Sequence, residues 1–538
     1  MEHLPLIIVV AFYLLVVFGL GYRGYRRTKS ATDYLVAGRQ MHPYVMAMSY
    51  GATFISTSAI VGFGGAAGLF GMGILWLTFL NIFAGIFIAF VFFGGRTRRM
   101  GHALDVHTFP ELLGRRFKSK FIQMFSGLVI FFVMPLYTAA VMMGICRFFE
   151  GQLGVEYEYA LFFFGIIVAI YVIMGGLKGV MYTDALQGTI MLVGMVALLL
   201  LTYAKLGGVV KAHEALTAMA PEAKAMLGGA GHQGWTAMPK FGSRFWWVLV
   251  STIIMGVGIG VLAQPQLAVR FMTVKSKREL NRAVLVGGIF ILAMTGIAFV
   301  VGALTNVYFK ETVGKISFVV AEKTPDKIIP LYIKDAMPVW FGGLFLVTLL
   351  AAAMSTVSSQ FHAMGTSLGR DFCEQLSPGS KGSILVNRVG IFVAFILSVL
   401  LSYVLPIRFE ATGTAIIARA TAIFFGLCAA TFLPAYLGGL YCRGMSRAAA
   451  VWGMLAGFLA SAFWLLFGHL SESQALLICQ KLFGKPSLVQ GVTWKWIIWD
   501  QVDPLFIGLP IAVIVTLIVA AATKPLPEEH LKKCFPGK

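Results

Sequence analysis

The chain has 538 residues, of which 58% are hydrophobic and only 12% charged, and its mean hydropathy is +0.83. That balance excludes a soluble globular domain; apolar runs of about 20 residues, each long enough to cross roughly 30 Å of hydrocarbon, recur from end to end and describe a polytopic membrane protein whose solvent is the lipid bilayer. The net charge of +20 comes in short bursts between those runs rather than as one continuous face, so it marks topology and excludes a nucleic-acid partner.

In chain order the expected crossings are 4–22, 43–71, 72–94, 121–149, 158–177, 182–205, 245–270, 283–308, 338–370, 386–406, 411–440, 449–470 and 503–523. The fold class is all-α, with thirteen transmembrane helices filling one domain over 1–538 and a tail at 524–538. The first apolar run is followed, not preceded, by its basic residues ("RGYRRTK"), the reverse of a cleavable signal peptide. It is therefore expected to stay as a helix that enters from outside. With the N-terminus outside, "GRTRRMG", "GRRFKSK", "RFMTVKSKRELNR", "CRGMSR" and the C-terminal tail all fall in the cytoplasm, as the positive-inside rule requires. Phe245, Trp246 and Trp247, and Trp494, Trp496 and Trp499, sit at expected outer boundaries and suit an aromatic belt. Six scattered cysteines contain no Cys-x-x-Cys pair, so neither a metal site nor a disulfide framework is expected.

Two crossings carry helix-weakening residues: "ATFISTSAIVGFGGAAG" (52–68) in the second and "IIMGVGIGVLAQPQLAV" (253–269) in the seventh. Irregular backbone at membrane depth is tolerated only where it lines a cavity or is buried in protein, so such breaks point to a transport site. Lying five helices apart, they would be counterparts in a five-plus-five inverted repeat. A third signal is "AAAMSTVSSQ" (351–360), where Ser355, Thr356, Ser358 and Ser359 put four hydroxyls into an apolar helix. Such hydroxyls either bond to carbonyls one turn back or serve a ligand.

Four segments resemble the solute:sodium symporter family and run in its order: "TKSATDYLVAGRQM" (28–41), "GGLKGVMYTDALQG" (175–188), "AQPQLAVRFM" (263–272) and "AAAMSTVSSQ" itself. The resemblance implies a LeuT-like fold of two inverted repeats, 43–206 and 245–440, with one peripheral helix before (4–22) and two after (449–523). It also implies sodium-coupled import of a small organic solute, such as a carboxylate, across a cell membrane (a prokaryotic inner membrane), with Na+ as coupling ion, no organic cofactor and no enzymatic activity. The implied cation ligands are Phe54, Thr57 and Ala352 through backbone oxygens and Ser355 and Thr356 through side chains. The implied gate or ion-release residues are Asp184 and Gln187, although Asp184 equally suits a helix N-cap. A proton-coupled transporter of the same fold and a transporter-like membrane sensor are the alternatives.

For the solute, the expected residues are Ser56, Ser58 and Gly62 at the start of a second half-helix, whose positive end suits a carboxylate. Val257, Val261 and Gln264 in the seventh crossing join them. Val257 and Val261 stand where proline-type members of the family carry aromatic residues, which argues against proline. Arg419, about eight residues into the eleventh crossing, either pairs with Glu410, snorkels outward or receives an anion, because a cation at that depth is costly.

Overall fold

Backbone groups in hydrocarbon have no water to bond, so long apolar segments fold as helices. The computed structural model, which describes residues 4–28, 30–376, 384–409 and 415–535, is helical over most of its length. Its long rods are α1 (Leu4–Arg27), α2 (Pro43–Phe54), α3 (58–70), α4 (75–103), α5 (Lys120–Leu153), α6 (157–175), α7 (Gly176–Lys205), α8 (Arg244–Ala263), α9 (Lys277–Val313), α10 (Val339–Thr366), α11 (Ile384–Phe409), α12 (Ile416–Tyr441), α13 (Arg447–Gly468) and α14 (Pro504–Ala522). Among the described residues, ten helical runs are long and apolar enough to cross a membrane. One of them, 58–103, is divided at Gly71 (φ 79°, ψ −161°). A Cβ there would meet the Trp235 carbonyl oxygen at 2.3 Å, so both the backbone angle and the close approach require glycine.

Both expected breaks are present. The second crossing is α2 and α3, separated at Ile55, which is extended (φ −89°, ψ 106°). The seventh is α8, ending at Ala263, followed by an extended Gln264 (φ −76°, ψ 116°) and a short helix Pro265–Ala268. The fifth and sixth crossings meet without a loop at Gly176 (φ 57°, ψ 177°). Asp184 therefore lies two turns inside α7, and the N-cap expectation for it does not hold.

The hydrophobic core runs continuously through the bundle, with α10 packed on α5, α7 and α11, and α13 on α12 and α14. The quoted motifs converge at the end of the bundle that carries the basic loops, here called the basic end. Lys178 Nζ reaches Asp33 at 2.9 Å, and the Met41 N–H donates to the Thr273 carbonyl at 3.0 Å. At the opposite end the two Trp groups meet. Trp247 stacks on Trp496 at 5.7 Å and donates its indole N–H to the Trp496 carbonyl. A two-stranded hairpin pairs Thr493 with Ile498 there. The described cysteines are all free.

A broken helix, a hydroxyl pair and a buried ion pair

When α2 stops at Phe54, its last carbonyls lose their partners four residues on. Hydroxyls from two other helices replace them. Ser355 Oγ on α10 donates to the Ala52 carbonyl at 2.9 Å and Thr356 Oγ1 to those of Ala52 and Thr53 at 3.2 Å each. The Tyr137 hydroxyl on α5 reaches the Phe54 carbonyl at 3.4 Å. The Ala352 carbonyl also accepts from Ser355 Oγ, at 3.2 Å. The structure thus brings Ala352, Ser355 and Thr356 together and adds Ala52 and Thr53, which the sequence did not single out, while the Phe54 carbonyl meets Tyr137. Thr57 turns its side chain away to the Val141 carbonyl at 2.5 Å, against Gly144 of α5. All these residues are buried. The result is a cluster of neutral oxygens at the partly negative C-terminal end of a half-helix.

One turn toward the basic end lies a charged knot. Arg270 and Asp184 are fully buried and 3.1 Å apart. The Arg270 guanidinium also donates to Ser49 Oγ (3.0 Å), Thr53 Oγ1 (2.5 Å), Ser359 Oγ (2.6 Å) and the Gln266 carbonyl (2.5 Å). Ser49 Oγ donates to Asp184 at 2.7 Å. Thr53 is the joint: its carbonyl meets Thr356 and its hydroxyl meets Arg270. Gln187, one turn from Asp184, donates to the Tyr13 hydroxyl at 3.0 Å. Below the knot a small cavity of about 30 Å³ is lined by Arg270, Ser359, His362 and Thr108. At the opposite end a cavity of about 430 Å³ reaches Phe70, Phe245, Thr252 and Arg419.

The sodium:solute symporter profile matches residues 34–457. This chain belongs to that family. The sodium/proline symporters of Staphylococcus aureus strains JH9 and NCTC 8325 are each 28% identical to it, over 96% of this chain and 92% of theirs. A solved structure described as the substrate-bound outward-open state of a Na+-coupled sialic acid symporter superposes with a TM-score of 0.74 at 20% identity, covering 97% of this chain and 98% of that one. The protein is a multi-pass membrane transporter of the sodium-coupled symporter class and not an enzyme, and its fold is that of the LeuT-like transporters.

The expected solute residues of this symporter separate into two groups. Ser56 caps the second half-helix, its side chain accepting from the Ser58 N–H at 3.2 Å and its carbonyl from Ala59 and Ile60. The half-helix therefore starts at Ser58, one turn before Gly62. Gly62 instead serves close packing, since a Cβ there would meet Ile417 at 2.5 Å. Ser58 Oγ, Thr78 Oγ1 and Asn81 Oδ1 are buried without a hydrogen-bond partner among the described residues. Val257 and Val261 are buried, and Gln264 folds back to the Gly260 carbonyl at 3.2 Å.

Arg419 belongs elsewhere. Its guanidinium is bonded to both oxygens of Glu472 and to His469, all three buried. Glu410, the nearer acid in sequence, lies outside the described residues. Burial pushes the Glu472 carboxyl up, and Arg419 and His469 beside it more than reverse this, holding it well below the usual carboxylate range.

A second ionic cluster closes the basic end. Glu111, on the short helix Phe109–Arg116, accepts from Arg370 at 3.1 and 3.2 Å, from Arg115 at 2.5 Å and from the His107 N–H at 2.8 Å. Burial raises its carboxyl, but the bond from His107 and the Arg370 charge win and bring it down to about 2. A depressed folded value means that this contribution is complete above the unfolded value near 4.5 and is lost as pH falls toward about 2. Thermal unfolding of the purified protein between pH 6 and 3 is expected to show wild type losing its advantage over Glu111→Gln, an advantage of about 3 kcal/mol at the top of that window. A constant gap between the two would remove the assignment.

Proposed function

We propose that this symporter imports a small carboxylate, coupled to inward movement of Na+, by alternating access. The observation that supports it is the break between α2 and α3 facing Ser355 and Thr356. Na+ is a hard cation that prefers oxygen ligands and needs several to replace its water shell. The two hydroxyls turn their O–H bonds aside and offer lone pairs, while the freed carbonyls of α2 and that of Ala352 supply the rest. The donor set is neutral, so the ion's own charge is what the site gains or loses.

In this reading thirteen crossings place the N-terminus outside and the basic end in the cytoplasm of a prokaryotic inner membrane. Residues 43–206 and 245–440 form the two inverted repeats. The 430 Å³ cavity is the outer vestibule, and the Asp184–Arg270 pair is the inner gate that must part for release. Carboxylate reception falls to Ser56, Ser58 and the start of α3, since Arg419 is already committed to Glu472. The S. aureus relatives are named for proline, whereas Val257 and Val261 leave this pocket without the aromatic residues of proline-type members and favour a different carboxylate. For a monovalent anion moving with one Na+ the electrical term, about 2.3 kcal/mol per 100 mV, cancels, so strong accumulation requires a second cation.

The test is uptake into sealed vesicles of purified protein, screened over carboxylates and amino acids with imposed gradients. Uptake is expected to follow an inward sodium gradient at fixed pH. Uptake that ignores sodium and follows a pH gradient would replace the sodium reading with the proton-coupled one.

A further inference from the structure

Segment 469–503 joins α13 to α14 at the end opposite the basic loops and grips three neighbours at once. Its own bonds fix it to α13. The Leu488 N–H donates to the Phe467 carbonyl at 2.8 Å, Ser487 Oγ to the Gly468 carbonyl at 2.6 Å, and the Trp464 indole on α13 to the Val502 carbonyl at 2.8 Å. It holds α8 through Trp496, stacked on Trp247 and accepting its indole N–H at 2.9 Å, and through the Asp503 N–H, which donates to Ser251 Oγ at 3.3 Å. It holds α12 through Glu472 on the short helix Leu470–Leu476. Glu472 Oε2 accepts from Arg419 Nη2 at 3.0 Å and lies 2.5 Å from His469 Nδ1, and its Oε1 accepts from Arg419 Nε. Arg419 then bridges back to α8, donating through Nη1 to Thr252 Oγ1 at 3.3 Å.

Two features make this arrangement more than a surface ornament. The ions are buried, where pairing is stiff and a lost partner leaves a stranded charge. In addition, Thr252, Arg419, His469 and Ser471 line the 430 Å³ cavity, together with Phe70 and Phe318. The helices that anchor the segment lie outside both proposed repeats, so they offer a fixed post against which α8 and α12 can be held.

We propose that segment 469–503 is a clamp across the outer ends of α8 and α12 that sets how far the vestibule opens, with Glu472 as a positioning residue acting through Arg419. This rests on the reading above, in which that cavity is the outer vestibule of a symporter. Glu472 never touches the solute in this scheme. Its effect is on the equilibrium between narrow and wide forms of the cavity.

The test places a reporter, Val248→Cys, on the cavity wall in a Cys479→Ala background and follows its reaction with a membrane-impermeant maleimide in intact cells. Glu472→Gln is expected to raise the labelling rate per inserted molecule by at least about fivefold, the low end of a coupling between sites. Glu472→Asp, which keeps the charge, is expected to return it to near the parent value. An inserted Glu472→Gln with an unchanged rate overturns the clamp, as does equal behaviour of the Gln and Asp variants. Should Glu472→Gln fail to insert, His469→Gln removes one partner and keeps the Arg419 bond. A smaller rise in the same direction then supports the proposal, and no rise overturns it. Labelling needs neither sodium nor a known solute, so uptake that ignores sodium leaves this result standing. A reporter that reacts only in inverted vesicles overturns the orientation instead, and the same comparison is then run in those vesicles.

Discussion

Replacing Ser355 by Ala and Thr356 by Val together is expected to weaken sodium activation of uptake by about 100-fold or more, with insertion into the membrane preserved. Each hydroxyl removed costs a hydrogen-bond-like contact to a charged group, about 1.5–3 kcal/mol, and two such losses at about 1.4 kcal/mol per decade give that factor. Val keeps the β-branching and stiff χ1 of Thr356 and removes only its hydroxyl, so the change reads the loss of that oxygen. Thr356→Ser keeps the oxygen and loses only a methyl, so its sodium activation is expected to stay within a few-fold of wild type. The measurement is the sodium concentration for half-maximal uptake in sealed vesicles. An unchanged value in the double variant would exclude the hydroxyl pair from the cation site. The Ala52 and Thr53 carbonyls lose their donors in the variant, so a modest fall in thermal stability accompanies the change and serves as a check that the residues sit where the structure has them.

The breaks in the second and seventh crossings were legible because glycine, serine, threonine and proline weaken a membrane helix for local reasons that need no knowledge of the partner. The hydroxyl pair was legible for the same reason: four small polar side chains in an apolar helix need an explanation. The register of the carbonyls was not legible. Moving a helix end by one residue turns the exposed carbonyls by about 100°, the angle per residue of a 3.6-residue turn, which is the difference between expecting Phe54 with Thr57 and finding Ala52 with Thr53 beside the hydroxyls. Gly62 illustrates the same point. Its sequence context suggests a helix start, whereas Ser56 caps the helix one turn earlier and Gly62 fits against Ile417.

Charged partners were the least legible of all. Glu410 stands nearer Arg419 in sequence, but the acid bonded to it, Glu472, is 53 residues away across a complete helix and in a loop with no motif of its own. Arg270 sits in a quoted motif, yet its side-chain partners come from α2, α7 and α10, separated from it by 86 to 221 residues. Hydropathy marks each of these residues as polar within an apolar chain. Only the packing of the rods decides which of them meet, because the pairing follows from long-range geometry rather than from local propensity.

That geometry makes the Asp184–Arg270 pair the place where single substitutions are expected to be most damaging. Breaking a buried pair by removing one partner strands the other charge and costs about 3–5 kcal/mol. Among the described residues, Asp184→Asn leaves Arg270 with three hydroxyls and a carbonyl but no counter-ion, and Arg270→Gln leaves Asp184 with only the Ser49 and Thr53 hydroxyls. Each single variant is therefore expected to lower the unfolding temperature in detergent by several degrees and to reduce uptake severely. The double variant Asp184→Asn with Arg270→Gln removes both charges and is expected to recover much of the stability, because two neutral amides can share the same hydroxyls. It is not expected to recover transport. If the pair is the proposed gate, it has nothing left to part once neither charge is present, and sodium-driven uptake should stay low while the protein inserts and melts nearly as wild type does. Thermal unfolding and uptake measured on the same four proteins separate the two roles. A double variant that regains both stability and sodium-driven uptake would make the pair a packing element only, and one that regains neither would mean that the Ser49, Thr53 and Ser359 hydroxyls depend on the charges to keep α2, α7 and α10 in register.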